Sequence, residues 1–194
     1  MTTYLLVPGW AGSGPDHWQT HWASELPNAS RVDMPNWLRP VRSDWIATLD
    51  RAVERAREPP ILVAHSLGCL TVAHWAATAT RKIRAAFLVA PIDLDRTHHP
   101  GVLGEFAPVP HAALPFPSHV VASDDDPNAT PARLATIAQA WGSELVLIHG
   151  GNRLNERAGF GRWSEGLGFL RNLVAPVAGV EEIEDSTWIC RGLD

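Results

Sequence analysis

The stretch Ile61-Leu62-Val63-Ala64-His65-Ser66-Leu67-Gly68-Cys69 decides how this chain is read. Pro60 opens a short apolar run, Ile61 to Ala64, that predicts a strand, and Leu67 to Thr78 has helical composition. Ser66 stands at the junction. A serine there occupies a sharp strand-to-helix turn with its hydroxyl raised over the sheet edge. Such a turn brings backbones close together, so small residues are needed two positions before and two after. Ala64 and Gly68 supply them. The helix that follows presents free N–H groups at its N-terminus, where negative charge is stabilised.

Strand-like and helical patterns alternate outward from this point. Tyr4 to Val7, Val32 to Met34, Ala85 to Ile92, His119 to Ala122 and Leu145 to Ile148 read as further strands. Trp18, Trp22 and Leu26 form a helical stripe. Ser43 reads as the N-cap of a helix running to Arg57, and Thr130-Pro131 as the start of a helix that stops at Gly142. Trp163, Leu167, Leu170 and Val174 stripe a last helix. His98 to Ser118 holds five prolines and reads as loop or lid. This alternation predicts right-handed crossovers and a doubly wound, mainly parallel sheet, with sites at the C-terminal ends of its strands. Residues 1–176 are expected to form one domain and 177–194 an acidic tail.

Composition narrows the function. The 194 residues are 45% hydrophobic and 19% charged, which is globular, and the net charge of −5 gives no basic field for nucleic acid. No apolar run has the length of a membrane span, and no basic residue precedes Tyr4-Leu5-Leu6-Val7 as in a signal peptide. Cys69 and Cys190 build neither a disulfide framework nor a zinc site. The expectation is a cytoplasmic protein acting on a small molecule, with no membrane, metal or cofactor.

Two loops complete the chemistry around Ser66. Pro8-Gly9-Trp10-Ala11-Gly12 follows the first strand, and in an α/β-hydrolase this loop gives an oxyanion amide. Trp10 is the residue expected to supply it, beside the amide of Leu67. The stretch matches neither glycine-rich phosphate-loop pattern, and a plain turn is the competing reading. Ser123-Asp124-Asp125-Asp126-Pro127 follows a later strand, where a carboxylate would orient a protonated histidine. Asp126 comes after Ser66 in the chain order of this fold. The three aspartates also read as a solvated loop, or as a weak cation site, although calcium loops space their ligands differently.

With these stretches the chain resembles the small serine hydrolases of the retinoblastoma-binding-protein-9/YdeN-like family, in particular its bacterial branch. The matching segments include Pro15-Asp16-His17-Trp18, Asp44-Trp45, Leu62 to Cys69, Leu88-Val89-Ala90-Pro91, Leu114 to Ser118, Asp125-Asp126-Pro127, Ala140-Trp141-Gly142, and Gly159-Phe160-Gly161 with Trp163. The resemblance implies a compact α/β-hydrolase with a minimal cap or none. It also implies an esterase-type activity on an acyl substrate, with Ser66 as nucleophile and Asp126 as the acid of a triad.

The third triad member departs from that pattern. The family carries a histidine, the general base, within Gly-His-Ile-Asn, and the matching residues here are Asn152, Arg153, Leu154 and Asn155. A guanidinium stays protonated and offers only donors, so Arg153 cannot take the serine proton. Reduced activity is expected, or a binding protein that keeps the hydrolase scaffold, with Arg153 paired to Asp126. His149, ending the last strand, is the first substitute base to consider; His98 and His99 follow. His65 is expected to point into the packing. Trp18, Trp22, Trp45, Trp141 and Trp163 read as core, and Cys69 as inert packing.

Overall fold

A computed structural model describes residues 2–95 and 101–175. His98 and His99, Cys190 and the acidic segment 177–194 lie outside these residues. The strands are β1 (Tyr4–Val7), β2 (Ala29–Arg31), β3 (Ile61–His65), β4 (Ala85–Val89), β5 (Ser118–Ser123) and β6 (Glu144–Ile148). The helices are α1 (Trp18–Glu25), α2 (Arg42–Arg55), α3 (Leu67–Ala76), α4 (Pro131–Trp141) and α5 (Ser164–Val174). All six strands pair in parallel in the order β2-β1-β3-β4-β5-β6. The doubly wound parallel sheet expected from the alternation is therefore present.

Side-chain alternation along the central strands feeds two cores. Leu62 and Ala64 of β3, with Ala86 and Leu88 of β4, join Trp45, Leu49, Trp75 and Trp141 on one face. Ile61 and Val63, with Phe87 and Val89, join Trp18, Trp22 and Trp163 on the other. Because both faces are covered, β3 and β4 are buried from end to end, which explains their unbroken apolar sequence. The indoles also fix loops through their N–H groups. Trp18 donates to Leu154 O (2.8 Å), Trp22 to Arg162 O (2.9 Å), Trp45 to Pro35 O (2.9 Å) and Trp141 to Pro110 O (2.7 Å). Truncating a buried indole of this kind to alanine costs about 3–5 kcal/mol.

Three boundaries differ from the sequence reading. The edge strand is Ala29–Arg31, while Val32 and Met34 are buried core residues just beyond it. Helix α2 begins at Arg42 rather than after Ser43, because its first N–H is capped from afar: Arg42 N donates to Glu105 Oε2 at 3.2 Å. The proline-rich segment is not wholly irregular. Residues 101–106 form a 3-10 turn that buries Leu103 and Phe106, with Phe106 edge-on to Trp45 at 5.8 Å. The Thr130 cap and the left-handed Gly142 stop of α4 are as expected.

Candidate active site

Ser66 lies between β3 and α3 with φ 52° and ψ −118°. A non-glycine residue at positive φ is strained, and surrounding contacts must hold it there. Ser66 N–H donates to Val89 O on the neighbouring strand (2.9 Å), and its carbonyl accepts from Cys69 N (3.0 Å). A Cβ on Gly68 would stand 2.3 Å from Val7 O and 2.8 Å from Pro8 O, so only glycine lets α3 approach the end of β1. A Cβ on Gly9 would meet the Ser66 Cβ at 3.0 Å. The loop carrying Trp10 therefore lies directly against the turn carrying Ser66. Trp10 N–H donates to no backbone acceptor among the described residues, and Leu67 occupies the first position of α3, where N–H groups have no intrahelical partner. Gln19, buried, fastens this assembly: its side-chain amide donates to Val7 O (3.2 Å) and Val63 O (3.0 Å), tying together the strand ends that deliver Trp10 and Ser66.

The three aspartates after β5 divide their work. Asp124 accepts from Gly150 N (2.9 Å) and pairs with His149 Nδ1 (2.6 Å). Asp125 accepts from Ser123 Oγ (2.6 Å) and from Asn152 N (2.6 Å). Asp126 is 6% exposed, and its Oδ1 accepts from Asn128 N (2.8 Å). The register Ser123↔Ile148 sets this up by bringing the loop after β6 alongside the loop after β5. Gly151 N also donates to Ser123 Oγ (2.8 Å).

The same loop then crosses to the residue preceding Ser66. His65 Nε2 donates to Arg153 O at 2.9 Å, and the Trp18 indole holds Leu154 O. Residue 153 thus has its backbone between the aspartate loop and the residue preceding Ser66. Asn152 and Leu154 are held at φ 47° and 49°. Asparagine is among the few non-glycine residues that accept this region readily, which accounts physically for a glycine alternative at 152. The Arg153 side chain is exposed, and among the described residues no ion pair joins it to Asp126. The pairing expected from sequence is therefore absent; the guanidinium faces solvent, where hydration serves it without a partner.

The comparisons with known proteins follow this geometry. The family model described as serine hydrolase matches residues 4–172. This chain belongs to the serine hydrolase family. A YdeN-like hydrolase from Pectobacterium atrosepticum is 31% identical, with a TM-score of 0.80 over 89% of this chain and 90% of that one. The ydeN gene product of Bacillus subtilis has a TM-score of 0.71 at 21% identity, covering 89% of this hydrolase and 98% of that chain. The curated sequence of the hydrolase YdeN from Bacillus subtilis (strain 168) is 34% identical over 68 residues, a segment spanning 33% of this chain and 36% of that protein. The fold is that of the α/β-hydrolases, and the chain is a small YdeN-like member.

Among the described residues, His149, His65, His17 and His74 are engaged away from Ser66. Among the described residues none hydrogen-bonds the Ser66 hydroxyl. His149 is 90% exposed, held by Asp124, and separated from β3 by β4 and β5. His65 is buried, and burial pushes its pKa down, against the raising effects of the Arg153 carbonyl and Glu156; the Arg153 guanidinium lowers it further. His17 lies beside it, ring centroids 4.8 Å apart, with Nδ1 accepting from Gln19 N (3.1 Å) as the N-cap of α1. Burial above all, and then His65 and His21, lower its pKa from 6.5 to about 3. His74 bonds Phe106 O, away from the turn. Cys69 is buried and burial pushes its thiol up, as inert packing requires. Among the described residues no cluster of potential ligands could hold a metal ion, and no helix is long and apolar enough to cross a membrane. Sequence reasoning missed Gln19, Ser123 and Asp125, each a short polar residue whose partner lies on another element.

Proposed function

We propose that this protein is an esterase-type serine hydrolase of the cytoplasm, acting on a small acyl substrate through Ser66, with turnover reduced by the arginine at position 153. The observation that carries the reading is the strained Ser66 turn packed against the Gly9–Trp10 loop. In this reading Ser66 Oγ attacks the acyl carbonyl, and the Trp10 and Leu67 N–H groups receive the charge that develops on its oxygen. Asp126 is the buried acid of the ancestral arrangement. Arg153 offers no lone pair, so the serine proton leaves to water. Oxyanion stabilisation and binding alone leave about 10³–10⁴-fold over the uncatalysed reaction.

The test is fluorophosphonate labelling of the wild type beside Ser66→Ala, with hydrolysis of a p-nitrophenyl ester by wild type and Arg153→His. Slow labelling that Ser66→Ala abolishes, and a gain of about 10²-fold or more in the histidine variant, are expected. No gain in a folded Arg153→His would refute the assignment of position 153. Full wild-type activity lost in His98→Ala/His99→Ala would move the base there. The second reading, a ligand-binding protein on a hydrolase scaffold, is favoured by the donor-only side chain of Arg153; unlabelled Ser66 with retained ligand binding would establish it.

A further inference from the structure

The side chain of Arg153 has no part in holding the fold. Its loop is fixed by main-chain groups, through His65 to its carbonyl and Asn152 Oδ1 to its N–H (2.9 Å). The guanidinium is exposed and forms no ion pair with any described residue. The main chain of Arg153 lies against the residue adjoining Ser66, since His65 Nε2 donates to Arg153 O at 2.9 Å. Nearby carboxylates are committed elsewhere: Asp124 to His149 and Gly150, Asp125 to Ser123 and Asn152. Glu156 acts on His65 but forms no ion pair with Arg153. A guanidinium in this state presents a planar fork of donors that matches a carboxylate or phosphate.

The loop packed against the Ser66 turn, at Gly9, leads to a surface of opposite character. Among the described residues five large hydrophobics are exposed, and four of them, Trp10, Leu38, Val41 and Val102, belong to neighbouring segments. Trp10 Nε1 donates to Leu38 O at 3.2 Å, and the Arg42–Glu105 bond joins the start of α2, beside Val41, to the turn that carries Val102. Exposed apolar side chains gathered on one rim mark a surface that something apolar covers.

We propose that the substrate is an amphiphilic ester, whose anionic group pairs with Arg153 and whose apolar arm lies on the Trp10–Leu38 rim, so that the bond between them falls at Ser66. The inference rests on Ser66 as the nucleophile. It assigns Arg153 to substrate recognition rather than to a vestigial position.

Three esters test it: phenyl butyrate, its 4-carboxyphenyl analogue, and phenyl hemisuccinate, which place the carboxylate nowhere, on the leaving group or on the acyl group. Wild type should favour one carboxylate ester over the neutral one by about tenfold in kcat/KM at low salt. That ratio should fall towards one in Arg153→Gln, persist in part in Arg153→Lys, and shrink with added salt. No charge preference in wild type, or an equal loss on neutral and anionic esters in Arg153→Gln, overturns the proposal. Lengthening the arm on the side of the ester opposite the favoured carboxylate should improve kcat/KM in wild type and less so in Leu38→Ser; equal gains overturn the apolar arm. If turnover is too slow to follow, calorimetric binding of the same esters to Ser66→Ala, with and without Arg153→Gln, gives the same comparison. Unlabelled Ser66 with charge-selective binding refutes the nucleophile alone, and labelled Ser66 without charge selectivity refutes this inference alone.

Discussion

Acid should erode the stability of this hydrolase from the ring beside His65, the residue preceding Ser66. His17 is buried against Trp18 and His65, its Nδ1 accepts from Gln19 N, and its Nε2 has no hydrogen-bond partner among the described residues. The folded protein therefore holds it neutral, with a pKa of about 3 in place of 6.5. Between those values the unfolded chain binds one proton more than the folded one. Stability is thus intact above about pH 6.5, falls by about 1.4 kcal/mol per unit as pH drops, and levels off near pH 3. From pH 7.0 to pH 4.5 the loss assigned to His17 is about 2.5 kcal/mol, a substantial share of a typical 5–15 kcal/mol. His65, depressed in the same direction by burial, steepens the same limb. His17→Asn keeps a capping acceptor and removes the titrating ring. Urea unfolding of both proteins at the two pH values, followed by tryptophan fluorescence, measures the difference. The variant should start lower, because it loses ring packing, and should fall about 2.5 kcal/mol less between the two pH values. Parallel losses would refute the burial of a neutral His17.

Gly68→Ala drives a Cβ into two backbone carbonyls, Val7 O and Pro8 O, neither of which can turn aside. It should cost at least about 2 kcal/mol in urea unfolding and slow Ser66 labelling in the protein that remains folded. Arg133 makes a bidentate pair with Asp93 (2.9 and 3.1 Å), whose side chain is 0% exposed, so Arg133→Ala strands a buried carboxylate and should cost about 3–5 kcal/mol, part of it recovered by adding Asp93→Asn. The cycle Asp126→Asn with Arg153→Gln should be additive to within about 0.5 kcal/mol, since no ion pair links the two; coupling well above that would place the guanidinium on the carboxylate in solution.

The sheet and the strand-to-helix turn at Ser66 were legible because both rest on local rules. The buried strand Ile61–His65 is apolar from Ile61 to Ala64, and the turn at Ser66 needs a small residue at 68. Features set by distant partners were not legible. Hydrophobicity pointed to Val32–Met34 as the edge strand, but the residues in register with β1 are Ala29–Arg31, and Val32 adds only one further bond, its N–H donating to Leu6 O (2.8 Å). Ser43 has the chemistry of a cap, yet the helix begins at Arg42, whose N–H is bonded by Glu105, 63 residues further along the chain. The aspartate triplet could not be apportioned until the β5–β6 register placed each carboxylate, and the His65–Arg153 bond spans 88 residues. The solvent-facing side chain of Arg153 was not legible either, because whether a charge needs a partner depends on burial, which distant residues set.

The way residue 153 is held has an evolutionary consequence. Every clamp on its loop, from Ser123, Asp125, His65 and Trp18, grips main chain rather than the side chain at 153. Selection on folding is therefore nearly blind to which side chain stands there. If position 153 serves as proposed, a lineage can exchange proton-transfer power for charge recognition, or recover it, by one substitution, without first crossing a valley of unfolded intermediates. Ser66 has no such freedom, since its neighbours Gly9 and Gly68 are bound to the turn geometry itself. The scaffold thus separates a rigid half of the chemistry, inherited with the fold, from a half that drifts independently of it.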